Sequence, residues 1–282
     1  MNLEVLTVSN YRYRDQVAYI RTRLPKEPWL VLFCSENPLE PRCGSLNSAF
    51  RLEPIPFDDC YLDRFFFLDP ASNGELVGSA VTMRIRWNGT AADLPAGWEE
   101  TVRRCFRDCR DAEGRGCNTL VGMQVFTLYH YRQGGLAGLF LDKMLALGRR
   151  NGYEHMLVPV LPPTQFQREN VEKPFEEIVS ARRPDGLPND HWVRLHVRKG
   201  ARVLGASAKS HRFAASLRGF QEHITSDRVT RTGEHIVRLD RDLSFGRAAM
   251  DTWQRIYADV ERDFVCFSWG CVWVDYDLKS KA

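Results

Sequence analysis

Arg132-Gln133-Gly134-Gly135-Leu136-Ala137 joins a cation and two adjacent glycines to the start of an amphipathic pattern. A segment that leads from a strand into a helix leaves the first N–H groups of the helix unpaired and pointing outward. The helix dipole adds partial positive charge at that end, and glycine lets an anion approach with no Cβ in its path. A phosphate or pyrophosphate is the ligand such a terminus fits. The hexapeptide alone would serve equally as a glycine-rich turn, so the flanking elements must decide.

Those elements read clearly. Leu120 to Thr127 predicts a largely buried strand, and Leu136, Leu139, Phe140, Met144 and Leu147 mark one face of a helix that should stop at Gly152 as its C′ residue. Met156-Leu157-Val158-Pro159-Val160 predicts a second strand. Upstream, Arg64–Leu68 and Leu76–Ile85 form a hairpin pattern joined through Asp69 to Gly74, where Asn73-Gly74 is the turn signal. Trp98, Val102, Cys105, Phe106 and Cys109 fall at helical spacing between Leu94 and Arg110. Residues 1–60 are punctuated by prolines and read as short helices and loops. In the second half, Val193–Arg202 and Arg218–Val229 read as partly structured, His196 falls on a strand-like segment, and Trp269–Asp275 reads as a late strand.

The expected architecture is α/β or α+β, built on a strand-loop-helix-strand unit. Residues 1–60 form a segment packing on the core, 61–165 the cofactor-binding core, and 166–282 the half that completes the sheet and the acceptor side. The chain has 282 residues, and its 39 basic and 36 acidic side chains nearly balance. A net charge of +3 gives no clustered excess of the kind that marks a nucleic-acid or membrane surface. Met1-Asn2-Leu3-Glu4-Val5 lacks the basic and apolar regions of a signal peptide, and no apolar run approaches a bilayer span, so a cytoplasmic location is expected. The eight cysteines include no C-x-x-C pair. Reduced thiols and no metal are therefore expected, with Cys105 and Cys109 structural.

The stretch from Asn118 to Pro162 resembles the cofactor-binding core of GNAT acyltransferases. Leu76-Val77-Gly78-Ser79-Ala80, Trp87-Asn88-Gly89, Leu94-Pro95-Ala96-Gly97-Trp98 and Asp185 to Arg202 are similar to one branch, that of GNAT-like loading domains of polyketide synthases such as those for curacin and saxitoxin. The resemblance implies a GNAT fold: a central mixed, twisted sheet splayed between its fourth and fifth strands, flanked by helices, here with a C-terminal extension. It implies acetyl-CoA or another acyl-CoA as co-substrate, with no tightly bound cofactor. The CoA would lie along Val125 and Thr127 and place its pyrophosphate on Arg132, Gln133, Gly134, Gly135, Leu136 and Ala137. Where the family usually carries Gly-Arg-Gly or Gly-Lys-Gly, this chain has Gln133-Gly134-Gly135; backbone binding is unaffected by that change. Gln165–Pro174 also lacks the Lys and Tyr-Pro positions of the branch, which bears on the acceptor.

Thr164 and His196 match the positions that serve malonyl decarboxylation and acyl transfer in the loading domains. A hydroxyl can hydrogen-bond a thioester or carboxylate, and an imidazole exchanges protons near neutral pH. A single histidine is also commonly a satisfied structural residue. Arg212 could pair with a substrate carboxylate or a phosphopantetheine, or lie on a solvated basic surface. Tyr129, His130 and Tyr131 precede the loop, and Cys117 has no neighbour in sequence that would lower its thiol pKa. Three functions follow: acyl transfer from CoA to an amine or carrier thiol, malonyl-CoA decarboxylation with S-acyl transfer to an acyl carrier protein, or a non-catalytic CoA-binding scaffold. Neither nucleic acid nor membrane is expected as a partner.

Overall fold

The computed structural model describes residues 4–8, 63–69, 75–109, 116–127, 135–240 and 252–279. Nine strands form one mixed sheet. They are β1 (Glu4–Val8), β2 (Asp63–Asp69), β3 (Glu75–Ile85), β4 (Thr119–Thr127), β5 (His155–Val160), β6 (Arg202–Ala215), β7 (Gly233–Leu239), β8 (Thr252–Asp259) and β9 (Phe264–Asp277). The order is β1-β2-β3-β4-β5-β9-β8-β7, with β6 also paired to β9. The expected β2–β3 hairpin is present, while its Asn73-Gly74 turn lies outside the described residues. Glu4–Val8 corrects the reading of residues 1–60 as helices and loops: it is a strand, antiparallel to β2. The remainder of that segment lies outside the described residues.

Among the described strands only β4 and β5 run parallel, and they pair over three positions, Thr119↔His155, Leu120↔Met156 and Val121↔Leu157. Beyond these the strands part, β4 continuing along β3 to Thr127↔Gly78 and β5 along β9 to Val160↔Val272. The sequence supplies the reason in Pro159. It has no N–H, and since it pairs with Trp273 inside an antiparallel ladder, its nitrogen must face away from β9, toward β4. The next bond that β5 would donate to β4 cannot form.

Helix α1 (Trp98–Cys109) buries Val102 and Cys105, as its spacing predicts. Helix α2 (Leu136–Arg150) joins the parting strands and buries Leu136, Phe140, Leu141, Met144, Leu145 and Leu147. It ends as expected: Gly152 has φ 74°, its N–H donates to Arg149 O, and Tyr153 N–H donates to Gly148 O, which is a Schellman motif. The remaining helices are α3 (Phe175–Ser180), α4 (His191–Arg198) and α5 (Leu217–His223). Helix α4 corrects the strand-like reading of the segment carrying His196. Trp192, Val193 and Val197 suit a strand, but the Asp190 carboxylate accepts from Trp192 N and Val193 N and caps a helix.

One core cluster joins α2 and α4 to β4, β5 and the second half of β9 through residues such as Phe140, Met144, Val158, Val193, Val272 and Val274. A second joins α5, β7, β8 and the first half of β9 through Phe220, Val237, Ile256, Val265 and Trp269. Strand side chains alternate between faces, so Trp269 and Cys271 point away from Val272 and Val274. Trp98 of α1 stacks near Trp269 through His211, which puts α1 on the face opposite α2 and α4.

Along one side of β9, β8 pairs up to Cys266 and β5 from Val272 onward. The interval is filled by a side chain. Gly270 N–H donates to Gln165 Oε1 (2.9 Å) and Gln165 Nε2 donates to Gly270 O (3.2 Å), so one amide side chain makes both bonds that a neighbouring strand would make. Gln165 sits in a 3-10 turn, Pro163–Phe166, whose Phe166 ring meets Trp269 edge-on at 5.3 Å.

Candidate active site

The opening between β4 and β5 and the N-terminus of α2 lie at the same end of the sheet, because α2 leaves β4 there and runs back to β5. Gly135 precedes α2 at φ 69°, in the left-handed region, and a Cβ built on it would meet nothing within 4 Å. It is exposed, whereas Leu136 is buried in the core. Among the described residues no side chain caps this end. Of the expected cofactor residues, Gly135, Leu136 and Ala137 therefore stand on the first turn of α2, and Val125 and Thr127 on the part of β4 that β5 has left. Val125 packs partly against the core beneath. Arg132, Gln133 and Gly134 lie outside the described residues, as do Tyr129, His130 and Tyr131. The close fit under the opening depends on Gly122, whose added Cβ would reach Val158 Cγ2 at 3.2 Å and Met144 Sδ at 3.5 Å.

Thr164 follows β5 directly and is buried. Its N–H (3.1 Å) and its hydroxyl (2.9 Å) both donate to Asp190 Oδ2, while Oδ1 of the same carboxylate caps α4. Thr164 and the helix that carries His196 are thus tied through Asp190. Thr164 and His196 themselves share no hydrogen bond. The His196 ring is fully buried, Nδ1 lies 2.9 Å from Tyr276 Oη, Trp192 meets it edge-on at 4.9 Å, and Nε2 has no partner. Burial pushes its imidazole down to about 3. His196 is therefore neutral at physiological pH.

On the opposite face, α1 docks against an irregular stretch of β6, where the register with β9 shifts between Ser207 and His211. Trp98 N–H donates to Ser210 Oγ (3.0 Å) and Arg212 N–H to Glu99 Oε1 (2.7 Å). The His211 ring stacks on Trp98 at 5.5 Å, its Nδ1 is shut off from solvent without a partner, and burial holds it down to about 4. Burial raises the Glu99 carboxyl above its ordinary value. The Cys271 thiol, buried and close enough to feel the Glu99 charge, is pushed up to about 12, mainly by burial. Arg212 is exposed. Sequence reasoning singled out Arg212 but missed Glu99, His211 and Asp190. Asp190 carried a legible signal, an Asx residue directly before an apolar run.

Cys105 is buried, Cys117 is half-buried with its Sγ 3.9 Å from Asp108 O, and the Cys109 side chain lies outside the description. Among the described residues no group of three or more His, Cys, Asp or Glu could hold a metal, and no helix is long and apolar enough to cross a membrane.

The two buried histidines give stability a definite pH dependence. An unfolded histidine takes up its proton near pH 6.5, whereas His196 resists until about 3 and His211 until about 4. Both folded values are depressed, so their contribution is complete above pH 6.5 and is lost as pH falls from there toward 4 and 3. The slope for fully buried His196 approaches about 1.4 kcal/mol per pH unit. Urea unfolding at pH 7 and pH 5 should show the wild type losing more stability over that interval than His196→Gln. Equal losses would show that His196 titrates normally.

No protein-family model matches the chain. A stretch of 130 residues, 44% of this chain, is 28% identical to the arginine N-acetyltransferase avaD of Aspergillus versicolor and covers 44% of that protein, so the match spans less than half of the relative's length. Among solved structures, the loading GNATL domain of CurA from Lyngbya majuscula is 13% identical over 99% of this chain and 100% of its own, with a TM-score of 0.46. The GphF GNAT-like decarboxylase, solved in complex with isobutyryl-CoA, is 18% identical over 98% and 100%, with a TM-score of 0.47. The fold follows from strand order and register. The parallel pair that opens after Val121 and Leu157, with α2 between its strands and antiparallel neighbours on both sides, gives the chain a GNAT fold, and over the matched stretch its sequence is similar to an N-acetyltransferase.

Proposed function

We propose that the chain is an acyl-CoA-dependent acyltransferase that moves a short acyl group from CoA to an amine by direct attack. The observation that carries this reading is the opening of β4 from β5 beside the uncapped N-terminus of α2. The anion-binding end of α2 receives the pyrophosphate, and the β4 edge that has lost its partner receives the pantetheine arm and acyl carbonyl. An acceptor ammonium gives up a proton, the free amine attacks the thioester carbonyl, and the tetrahedral oxyanion is held by β4 N–H groups. The C–S bond then breaks, and amide, CoA thiol and one net proton leave. The similarity to an arginine N-acetyltransferase supports an amine as acceptor.

A second reading, decarboxylation of malonyl-CoA with transfer to a carrier thiol, is supported by Thr164 and His196 in sequence, and a scaffold without catalysis is a third. Thr164 spends its hydroxyl proton on Asp190, and His196 faces Tyr276, which favours the amine reading. The test is incubation of the purified protein with acetyl-CoA and with malonyl-CoA, each with and without L-arginine. Amine-dependent release of CoA thiol from acetyl-CoA is expected. Carbon dioxide release from malonyl-CoA would instead support the second reading, and binding of CoA without any thioester loss would leave the scaffold.

A further inference from the structure

The parting strands β4 and β5 stop pairing at a level where they still touch. A Cβ built on Gly122 would lie 3.2 Å from Val158 Cγ2, so the two strands are in contact one residue beyond their last pair, Val121↔Leu157. On its other side Gly122 keeps its place opposite Thr82 of β3. The register of β4 with β3 shifts only past that point, where β4 carries Met123 as an extra residue between the pairs Thr82↔Gly122 and Val81↔Gln124. The geometry for one more bond between β4 and β5 is thus in place.

What is missing is the donor. Alternate residues of a strand face a given neighbour, so after Leu157, level with Val121, the next residue of β5 to face β4 is Pro159. The carbonyl it would meet is that of Gly122. Proline has no N–H to give it. The bulge at Met123 turns β4 away beyond Gly122, but the ladder has already ended one bond earlier, at Pro159.

Resting on the acyltransferase reading, we infer that Pro159 sets the depth of the slot between β4 and β5 and is the positioning residue that admits the acyl end of acyl-CoA. The arm enters from the end of the sheet where α2 begins, so the group farthest from its phosphates reaches deepest between the strands. A bond from an N–H at position 159 to Gly122 O would carry the paired region forward by two residues, about 7 Å at the rise of a parallel strand. That exceeds the length of an acetyl group with its sulfur. The acyl end would lose its place, while the phosphates, held at α2, would keep theirs.

Calorimetry with CoA and with acetyl-CoA on the wild type and on Pro159→Val tests this, because valine suits a strand and restores the N–H. The ratio of acetyl-CoA to CoA affinity should fall about fivefold or more in the variant, the effect of one ladder bond that the acyl group must displace. CoA affinity itself should change little, and the amide at position 159 should be protected from hydrogen exchange in the free protein. A variant that was merely damaged would lose stability and both ligands together. Pro159→Ala, smaller than the ring it replaces, is expected to give the same ratio and the same protection should valine not fit opposite Trp273. An unchanged ratio, or an amide at 159 that exchanges freely, overturns the assignment and leaves the bulge at Met123 to set the depth. If the wild type binds neither CoA nor acetyl-CoA, the acyltransferase reading falls, and this inference with it.

Discussion

Aspartate in place of Gly135 is expected to remove acyl-CoA binding, while asparagine at the same position leaves much of it. The two side chains are nearly isosteric, and both are among the few that tolerate a φ of 69°. Neither meets an obstacle, because a Cβ on Gly135 finds no atom within 4 Å. Folding stability should therefore be similar in the two variants, a little below wild type. What differs is one negative charge at the mouth of α2, where the pyrophosphate is proposed to sit. Two like charges about 5 Å apart at an effective dielectric near 20 repel by about 3 kcal/mol, or roughly a hundredfold in affinity. Isothermal titration with CoA would show this as a large gap between the variants, widening at low salt. Equal affinities for Gly135→Asp and Gly135→Asn would remove the pyrophosphate from this end of α2.

Gly97→Ala should be the most destabilising single methyl addition in this part of the molecule. The new Cβ would lie 2.3 Å from Ser210 Cα and 2.7 Å from Ser210 O, both backbone atoms that no rotamer change can move. Helix α1 would have to lift from β6, and with it would go the bonds from Trp98 N–H to Ser210 Oγ, from Arg212 N–H to Glu99 Oε1 and from Ser207 Oγ to Ala96 O. Overpacking and broken docking bonds together should cost about 3 kcal/mol, which in a chain of this size lowers the melting temperature by about 5 °C. Gly138→Ala is the control. Its Cβ would press only on Lys199 Cε at 3.1 Å, the far end of a flexible side chain, and the melting temperature should hardly change. A Gly97→Ala protein as stable as Gly138→Ala would mean that α1 is not seated on Ser210.

The strand-loop-helix-strand unit was legible because its signals are local: continuous apolar runs for β4 and β5, a helical stripe from Leu136 to Leu147, and Gly152 at the end. Pro159 even carried the reason for the opening, although its meaning depends on knowing that β9 is the other neighbour of β5. Long-range pairing was not legible. Nothing in Glu4–Val8 names β2 as its partner across more than fifty intervening residues, and β9 shows a strand pattern without showing that it serves three strands. His196 was placed on the wrong element because aromatic and β-branched neighbours outweighed a single capping carboxylate. Glu99 and His211 carry no local signature. They acquire meaning only when α1 meets β6 more than a hundred residues later in the chain.

The Gln165–Gly270 bridge adds to β6, which pairs with both halves of β9, in tying the two cores together. β9 lends its second half to the cluster around α2 and its first half to the cluster around α5, and the stretch between them is the natural place for a crack. With the Gln165 amide standing in for the missing neighbour, the ladder along β9 is continuous from β8 to β5. Fraying that starts at the β7–β8 hairpin cannot stop at Cys266 without exposing Gly270, and exposing Gly270 releases the turn that holds Thr164. The bridge therefore couples the two cores along β9, and losing it would loosen the turn at the mouth of the opening between β4 and β5.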